Sequence, residues 1–173
     1  MPGNVQRCIF TRMPMGRNRW SWRILYREYL KKMGMESAEA PDVLFALQDE
    51  MEKLQRLPFK EVEQILVGLA AVYGHCMCLL GKGTWYWNEE RQSCLIDNVG
   101  ESGILEYPLL SLISSYQRKI IREDEYIKRY INNIYSRNTQ IKLGCIKGEP
   151  TDLKVISEIY DKMYQRREEK GRI

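Results

Sequence analysis

The fold of this chain is decided by the stretch from Glu61 to Tyr116, which reads in succession EVEQILVGLAAVYGHCMCLL, GKG, TWYWN, EERQ, SCLIDNV, GESG, ILEY and PLLSLISSY. The first segment is apolar over so wide a face that it predicts a central, largely buried helix. TWYWN, SCLIDNV and ILEY are short, rich in aromatic and β-branched residues and separated by turn-forming residues, so they predict three antiparallel strands. Pro108 suits a first helical turn and predicts the start of another helix.

Apolar residues spaced three and four apart predict further helices on both sides of this stretch. One helix runs from a cap at Asn18 to Gly34, and a second begins at Ala40-Pro41-Asp42 and ends before Pro58. The charged segment Arg122-Glu123-Asp124-Glu125 predicts either a break or an exposed bend, and two more helical patterns follow it. The sequence therefore predicts an α+β fold, a mostly helical single domain of about five to six helices with a small three-stranded antiparallel sheet packed on a central helix.

Composition divides the chain into three parts. Residues 1–17 predict a flexible basic lead-in, residues 18–165 a single α+β domain, and residues 166–173 a solvated tail. Near the end of the domain, residues 138–150 read as a loop with a short strand at Gln140–Leu143. We find no internal repeat and no low-complexity segment.

Length and composition favour a protein of the cytoplasm. A chain of 173 residues with 44% apolar content can bury one substantial core. The longest apolar run, Ile65–Leu80, is interrupted by glycine and histidine and is shorter than a bilayer requires, so we expect no membrane span. No secretory leader pattern opens the sequence. The five cysteines are an odd number, which favours reduced thiols in a reducing compartment.

Positive charge is concentrated at the start of the chain. Residues 1–32 hold eight basic residues and one acidic residue, a net charge of +7, whereas the remaining residues hold 19 and 22, a net charge of −3. Four of the basic residues recur every four positions and define a cationic stripe along the first helix, namely Arg19, Arg23, Arg27 and Lys31. Like charges at this spacing cost a helix about 0.2–0.5 kcal/mol per pair, so an anionic neighbour would relieve a small strain.

Three kinds of neighbour would satisfy the cationic stripe. The second helix carries Asp42, Asp49, Glu50 and Glu52, and the interpretation we favour is that the stripe is a solvated face or pairs with these residues inside the molecule. The next is a protein partner, and the last is nucleic acid or a membrane surface. Nothing in the sequence resembles a zinc finger or an RNA-recognition motif, so nucleic acid has no specific support.

The two tryptophans of the first predicted strand offer a second candidate surface. Trp85 and Trp87 alternate with Thr84, Tyr86 and Asn88, so both indoles lie on one face of the strand. We favour the interpretation that this face packs on the central helix as core. The alternative is an open aromatic platform for a ligand or partner, because large aromatic residues dominate binding hot spots.

Residues that carry catalysis or bind metals are sparse. His75 is the only histidine, and its neighbours Cys76 and Cys78 would lie about 200° apart on a helix, so one metal ion could not bind both. A nucleophilic pair of Cys94 and His75 across the helix and sheet has no other support. We therefore expect no cofactor, no metal and no catalytic residue, and the sequence leaves open whether the protein has any enzymatic activity.

One resemblance bears on function. A helix ending in Leu79-Leu80-Gly81, a tryptophan strand, a second strand and then Tyr107-Pro108-Leu109-Leu110 resemble small cytosolic bacterial α+β proteins of uncharacterised families, some of which are immunity proteins beside toxins. The resemblance covers residues 61–118 and implies packing residues but no catalytic residue. We expect a non-enzymatic cytosolic protein-binding factor, an immunity or regulatory protein. The alternative is a nucleic-acid or anionic-surface binder acting through the basic N-terminal helix.

Overall fold

The computed structural model describes residues 19–81, 84–88, 90, 93–97, 105–151 and 153–172. In chain order, the elements within these residues are α1 (Arg19–Lys32), α2 (Ala40–Leu54), α3 (Phe59–Gly81), β1 (Thr84–Asn88), β2 (Ser93–Asp97), β3 (Leu105–Glu106), α4 (Pro108–Gln117), α5 (Glu125–Lys142) and α6 (Leu153–Glu169). They confirm the predicted α+β class, a mostly helical fold with a small three-stranded antiparallel sheet. The predicted lead-in and the predicted cap at Asn18 lie outside the described residues.

α3 is the central helix that its wide apolar face predicts. The helices α1, α2, α4 and α5 all pack against it, and Leu66, Tyr73 and Met77 are fully buried. Within the described part of the chain, the stretch Phe59–Leu79 of this helix is long and apolar enough to cross a membrane. Its apolar window is 67% buried inside the protein, so this hydrophobic surface is used in the core.

The three strands form an antiparallel sheet in the order β1-β2-β3. Trp85 of β1 is paired with Ile96 of β2, which is paired with Glu106 of β3. The sheet contacts α3 at Gly74, where an added Cβ would overlap the Trp85 indole and press on the Ile96 side chain. The absence of a side chain at Gly74 therefore lets the sheet approach the central helix.

α1 is held on α3 by aromatic rings along its length. Tyr26 lies against His75, and one turn later Tyr29 lies over Gly68, where an added Cβ would overlap the ring. The hydroxyl of Tyr29 also donates a hydrogen bond to the backbone carbonyl of Gln64 at 3.3 Å. Contacts move toward the start of α3 as the chain advances along α1, so the two helices are antiparallel. The first half of α1 therefore lies beside the end of α3.

α6 lies against α2, and ion pairs hold the end of α6 in place. Its apolar side chains enter the core at Ile156, Ile159 and Met163. The tail predicted to be solvated, residues 166–173, begins inside this helix and is solvated only in part. Arg166 donates a hydrogen bond to Asp49 at 2.7 Å, and Arg167 donates one to Asp124 at 2.8 Å. Both arginines are partly buried, whereas residues 168–172 are exposed.

The region between α4 and α6 differs from the sequence prediction at the end of α5. The predicted strand at Gln140–Leu143 and the predicted start of a loop at residue 138 are both wrong, because α5 continues without interruption to Lys142. The predicted break at 122–125 is confirmed: α4 ends at Gln117, and Asp124 adopts a left-handed backbone with φ of 52° immediately before α5.

Candidate functional site

The candidate site is a cleft where α1 faces the last turns of α3 and the start of β1. Its volume is about 360 Å³, and its lining residues are Arg23, Tyr26, Arg27, His75, Cys78, Thr84 and Trp85. Arg23 and Arg27 are exposed and lie one helical turn apart on α1. This surface, the α1 cleft, combines two guanidinium groups with aromatic walls.

Tyr26 and His75 form one aromatic wall of the α1 cleft. Their rings are stacked, with centroids 3.8 Å apart and planes 7° from parallel, and both side chains are partly buried. Burial, followed by the positive charges of Arg23 and Arg27, holds the pKa of His75 below its ordinary value of 6.5. The imidazole is therefore neutral at pH 7, with one nitrogen able to donate and the other able to accept a hydrogen bond.

Trp85 forms the other aromatic wall and is held by a second stack. Its indole lies on that of Trp22, with centroids 4.6 Å apart and planes 9° from parallel. Trp22 is buried and donates its Nε1–H to the Sγ of Cys94 at 3.2 Å. Trp85 is itself partly buried and packs against the core, yet it also lines the α1 cleft. One side of this indole thus belongs to the core while the residue remains available to a ligand.

The remaining predicted site residues are Lys31, Arg19 and Trp87. Lys31 is exposed on α1, one turn beyond Arg27. Arg19 is the first residue of α1 and Trp87 belongs to β1, but the side chains of both lie outside the described part of the structure. Of the six residues predicted from the sequence, three therefore come together in the cleft, two from the cationic stripe and one from the tryptophan strand.

The acidic residues of α2 that the sequence offers as partners of the cationic stripe are engaged by other residues. Asp42 contacts Lys162 of α6, and Asp49 accepts hydrogen bonds from Arg166 at 2.7 Å and from Lys170 at 3.0 Å. The other two acidic residues of α2 pair with Lys53 of α2 and with Lys170, the residue immediately after α6. The acidic face of α2 is therefore used to hold α6 and the residue that follows it.

Sequence reasoning missed Tyr26 and His75 as members of the site. Helical spacing assigns Tyr26 to the apolar face of α1, and the sequence offers His75 only as a metal ligand or as the partner of a cysteine. A signal for Tyr26 exists, because it lies between Arg23 and Arg27 in the sequence and must border any cleft on that side of α1. For His75 the sequence contains no such signal, because its place depends on how α1 packs against α3.

The buried thiols near the cleft lack the properties of a nucleophile. Cys76 and Cys94 are buried, and burial raises the pKa of Cys76 to about 12 and that of Cys94 to about 11. Because the thiolate is the reactive form of cysteine, both are packing residues at neutral pH. Among the described residues, no three side chains of His, Cys, Asp and Glu are grouped so that they could hold a metal ion.

A second polar cluster joins β3 to the central helix. The hydroxyl of Tyr73, which is fully buried on α3, donates a hydrogen bond to Oε2 of Glu106 at 3.4 Å. Burial raises the pKa of Glu106, and the charge of Arg129 acts in the opposite direction. We interpret this cluster as a structural link, because its tyrosine lies inside the core.

No protein-family model, no curated protein and no solved structure matches this chain. The resemblance of residues 61–118 to small bacterial α+β proteins therefore stays a prediction. The function has to be inferred from the chemistry of the α1 cleft and its surroundings.

Proposed function

We propose that this protein is a non-enzymatic protein-binding factor and that α1 is the surface that holds an acidic segment of its partner. The observation that carries the proposal is the α1 cleft, where Arg23 and Arg27 lie beside the stacked rings of Tyr26 and His75 and beside Trp85. Arginine and large aromatic residues are enriched at the energetic centres of protein interfaces. The cleft therefore has the composition of a binding surface.

Charge complementarity supports an acidic segment as the ligand. Arg23, Arg27 and Lys31 are exposed at one-turn intervals on α1, so their backbone positions span about 12 Å. The one acidic residue of α1, Glu28, lies 3.4 Å from Lys32. Because the carboxylates of α2 are engaged by α6 and α2 itself, an extended acidic peptide along α1 would supply the negative charge that the fold does not provide from α2.

Binding rather than turnover fits the groups that this site offers. The α1 cleft presents mainly cations and rings, with the half-buried Cys78 and with Thr84 beside them. The neighbouring thiols of Cys76 and Cys94 are buried and protonated at neutral pH. A factor of this kind would act by occupying a surface of its partner, as immunity and regulatory proteins do. The proposal includes a cytoplasmic location, where the cysteines of the described chain would remain reduced.

Nucleic acid or an anionic membrane surface is the alternative partner for the same helix. Regularly spaced cations beside aromatic rings also suit a phosphate backbone and its bases. We favour a protein partner because the rings of the cleft are already stacked in pairs, Tyr26 on His75 and Trp85 on Trp22. Each of these rings therefore has one face covered by its partner, and only its other face could stack on a base.

The test compares a variant of α1 with a variant that loses the same charge elsewhere. The α1 variant carries Arg23→Gln, Arg27→Gln and Lys31→Gln, and the control carries Lys60→Gln, Lys128→Gln and Lys147→Gln at exposed positions. The probe is a fluorescent nonapeptide of eight glutamates around a central tyrosine, and fluorescence anisotropy measures its affinity. We expect the α1 variant to lose about tenfold or more in affinity, equivalent to about 1.4 kcal/mol, and the control to lose about threefold or less.

Two results would overturn this proposal. Equal losses in both variants would mean that only net charge matters, and failure of the wild type to bind the peptide would remove its basis. A short DNA duplex or anionic vesicles provide the second arm of the test. If DNA or vesicles bind more tightly than the peptide, in a salt-sensitive manner that the α1 variant abolishes, the alternative function is correct. Thermal unfolding shows whether the variants remain folded, since exposed charges contribute about 0–1 kcal/mol each.

A further inference from the structure

The α1 cleft is larger and more positive than a single carboxylate requires. It has a volume of about 360 Å³ and two guanidinium groups, those of Arg23 and Arg27. Each guanidinium can make paired hydrogen bonds to phosphate oxygens, and a phosphate ester carries about −1.5 to −2 charges at pH 7. We propose, building on the function proposed above, that the cleft binds a phosphorylated residue of the acidic partner segment and that His75 takes up a proton from solvent as the phosphate enters.

The two arginines provide the charge that a phosphate ester needs. They lie one turn apart on the same helix, where like charges repel by about 0.2–0.5 kcal/mol. A phosphate dianion held between Arg23 and Arg27 attracts both guanidinium groups, and these two attractions outweigh the repulsion between them. A carboxylate carries one negative charge and neutralises only one of the two guanidinium groups. The pair of arginines therefore favours a dianion.

His75 is the group whose charge state a bound phosphate would change. In the free protein, burial and the positive charges of Arg23 and Arg27 favour the neutral imidazole. A dianion in the same cleft reverses the local potential and offers an acceptor for an imidazolium N–H, and both effects favour the protonated form. The stacked ring of Tyr26 covers one face of the imidazole and leaves uncovered by that contact the ring edge, which carries the N–H groups.

The direction of the pH dependence follows from the groups around His75. Its charged or titratable neighbours in the cleft are Arg23, Tyr26 and Arg27 of α1 and Cys78 of α3. The two residues of β1 in the cleft carry no charge. Since the bound state favours the imidazolium more than the free state does, the complex holds more protons than the separate molecules. Affinity should therefore rise as the pH falls from about 8 to about 6.5, a range above the second phosphate pKa of about 6.

The experiment uses the full chain and isothermal titration calorimetry with three probes. They are the nonapeptide of glutamates with a central phosphotyrosine, the same peptide with plain tyrosine, and inorganic phosphate. We expect the phosphopeptide to bind about tenfold or more tightly than the plain peptide. Its affinity should rise about threefold or more from pH 8 to pH 6.5, within the limit of about tenfold per pH unit for one linked proton. Titrations in two buffers with different heats of ionisation measure the proton uptake directly.

Two variants separate the roles of the residues. Arg23→Gln with Arg27→Gln should abolish the preference for the phosphopeptide, whereas Lys60→Gln with Lys128→Gln should retain it. His75→Gln keeps a side chain that can donate a hydrogen bond but cannot titrate over this range. This variant should still prefer the phosphopeptide and should lose both the proton uptake and the rise in affinity at lower pH.

Each contrary outcome overturns a defined part of this inference. Equal affinity for the phosphorylated and plain peptides would refute the phosphate site, while the proposed function would stand if the plain peptide still required the cations of α1. Inorganic phosphate binding as tightly as the phosphopeptide would assign the cleft to free phosphate instead of a partner residue. Unchanged proton uptake in His75→Gln would refute the role of the histidine. If neither peptide binds, the proposed function fails as well.

Discussion

Tyr26 of α1 lies flat against His75 of α3, with 3.8 Å between the ring centroids and 7° between the ring planes. This contact belongs both to the fold and to the site, because it docks the first helix on the central helix and covers one face of the imidazole in the α1 cleft. His75 is the only histidine of the chain, so its titration can be measured without ambiguity of assignment.

We expect His75 to titrate below its ordinary pKa of 6.5. Burial is the larger cause, and the charges of Arg23 and Arg27 add to it. The chemical shifts of the imidazole ring, followed by NMR against pH, measure this pKa directly. Replacing both arginines by glutamine should raise the pKa while leaving it below 6.5, because burial remains. A wild-type pKa at or above 6.5 would show that the ring is not held as the structure describes.

The same lowered pKa should make the stability of the fold depend on pH. Because the unfolded chain protonates His75 more readily than the folded protein does, the free energy of unfolding should decrease as the pH falls through 6.5 toward the folded-state pKa. His75→Gln should remove this part of the decrease. Urea unfolding at about pH 7.5 and about pH 5.5 measures the slope for both proteins, and identical slopes would contradict the prediction.

The parts of the fold that the sequence predicts well are those with strong periodicity and clear boundaries. The strand Thr84–Asn88 is found where its alternating tryptophans and the preceding glycines predict it. The end of α5 is not found where the sequence predicts it, because the local sequence around Asn138 has weak helical preference. A distant contact extends this helix: Asn138 is buried, and its side chain accepts a hydrogen bond from the backbone N–H of Thr151 at 2.8 Å.

The site is harder to predict than the fold because its members come from different elements. The spacing of the arginines on α1 and the presence of Trp85 are visible in the sequence, but their meeting depends on the antiparallel packing of α1 against α3. The partner of the acidic face of α2 is equally hidden, since Asp42 and Lys162 are 120 residues apart. Local patterns identify which residues are charged or aromatic, whereas long-range packing decides which of them share a site.

Gly74→Ala should destabilise the protein although alanine is the better helix former. Helix propensity alone would favour alanine by about 1 kcal/mol, but the added methyl group would overlap the Trp85 indole, and overpacking costs about 1–3 kcal/mol. The difference between these two terms is a net loss of up to about 2 kcal/mol, less any relaxation of the sheet, and urea unfolding measures it. Ser157→Ala, on the exposed face of α6, is the control and should be neutral or slightly stabilising.

A double variant tests the cause of that loss. Trp85→Leu alone should destabilise by removing the stack on Trp22, but it also removes the group that overlaps a methyl at position 74. The combined effect of Gly74→Ala and Trp85→Leu should therefore be smaller than the sum of the separate effects. Additive effects would mean that another contact opposes the methyl group.

The thiols should differ widely in reactivity in the native protein. Cys145 is exposed, whereas Cys76 and Cys94 are buried and have pKa values raised to about 12 and about 11 by burial. At pH 8 a thiol reagent should modify Cys145 on the order of a hundredfold or more faster than the two buried thiols, which react only when the fold opens. Peptide mapping by mass spectrometry after timed alkylation measures the rates, and the denatured protein, in which the rates should converge, is the control. Rapid native labelling of Cys94 would contradict its contact with Trp22.

Glu106→Gln should stabilise the protein at neutral pH and leave it unchanged in acid. Burial raises the pKa of Glu106 despite the opposing charge of Arg129, so the folded protein binds this proton more tightly than the unfolded chain does. The stabilisation from that proton is fully present below the unfolded pKa and is lost as the pH rises through the folded pKa. Glutamine has the shape of the protonated acid and keeps an oxygen that can accept the hydrogen bond from Tyr73.

The midpoint of urea unfolding at about pH 4 and at pH 7 measures this difference. Glu106→Gln and the wild type should have similar midpoints in acid, and the variant should have the higher midpoint at pH 7. The control is Glu149→Gln, which removes an exposed carboxylate in the loop before α6 and should show no such divergence. If Glu106→Gln is instead the less stable protein at pH 7, the carboxylate is charged in the fold and its attraction to Arg129 outweighs the cost of burial.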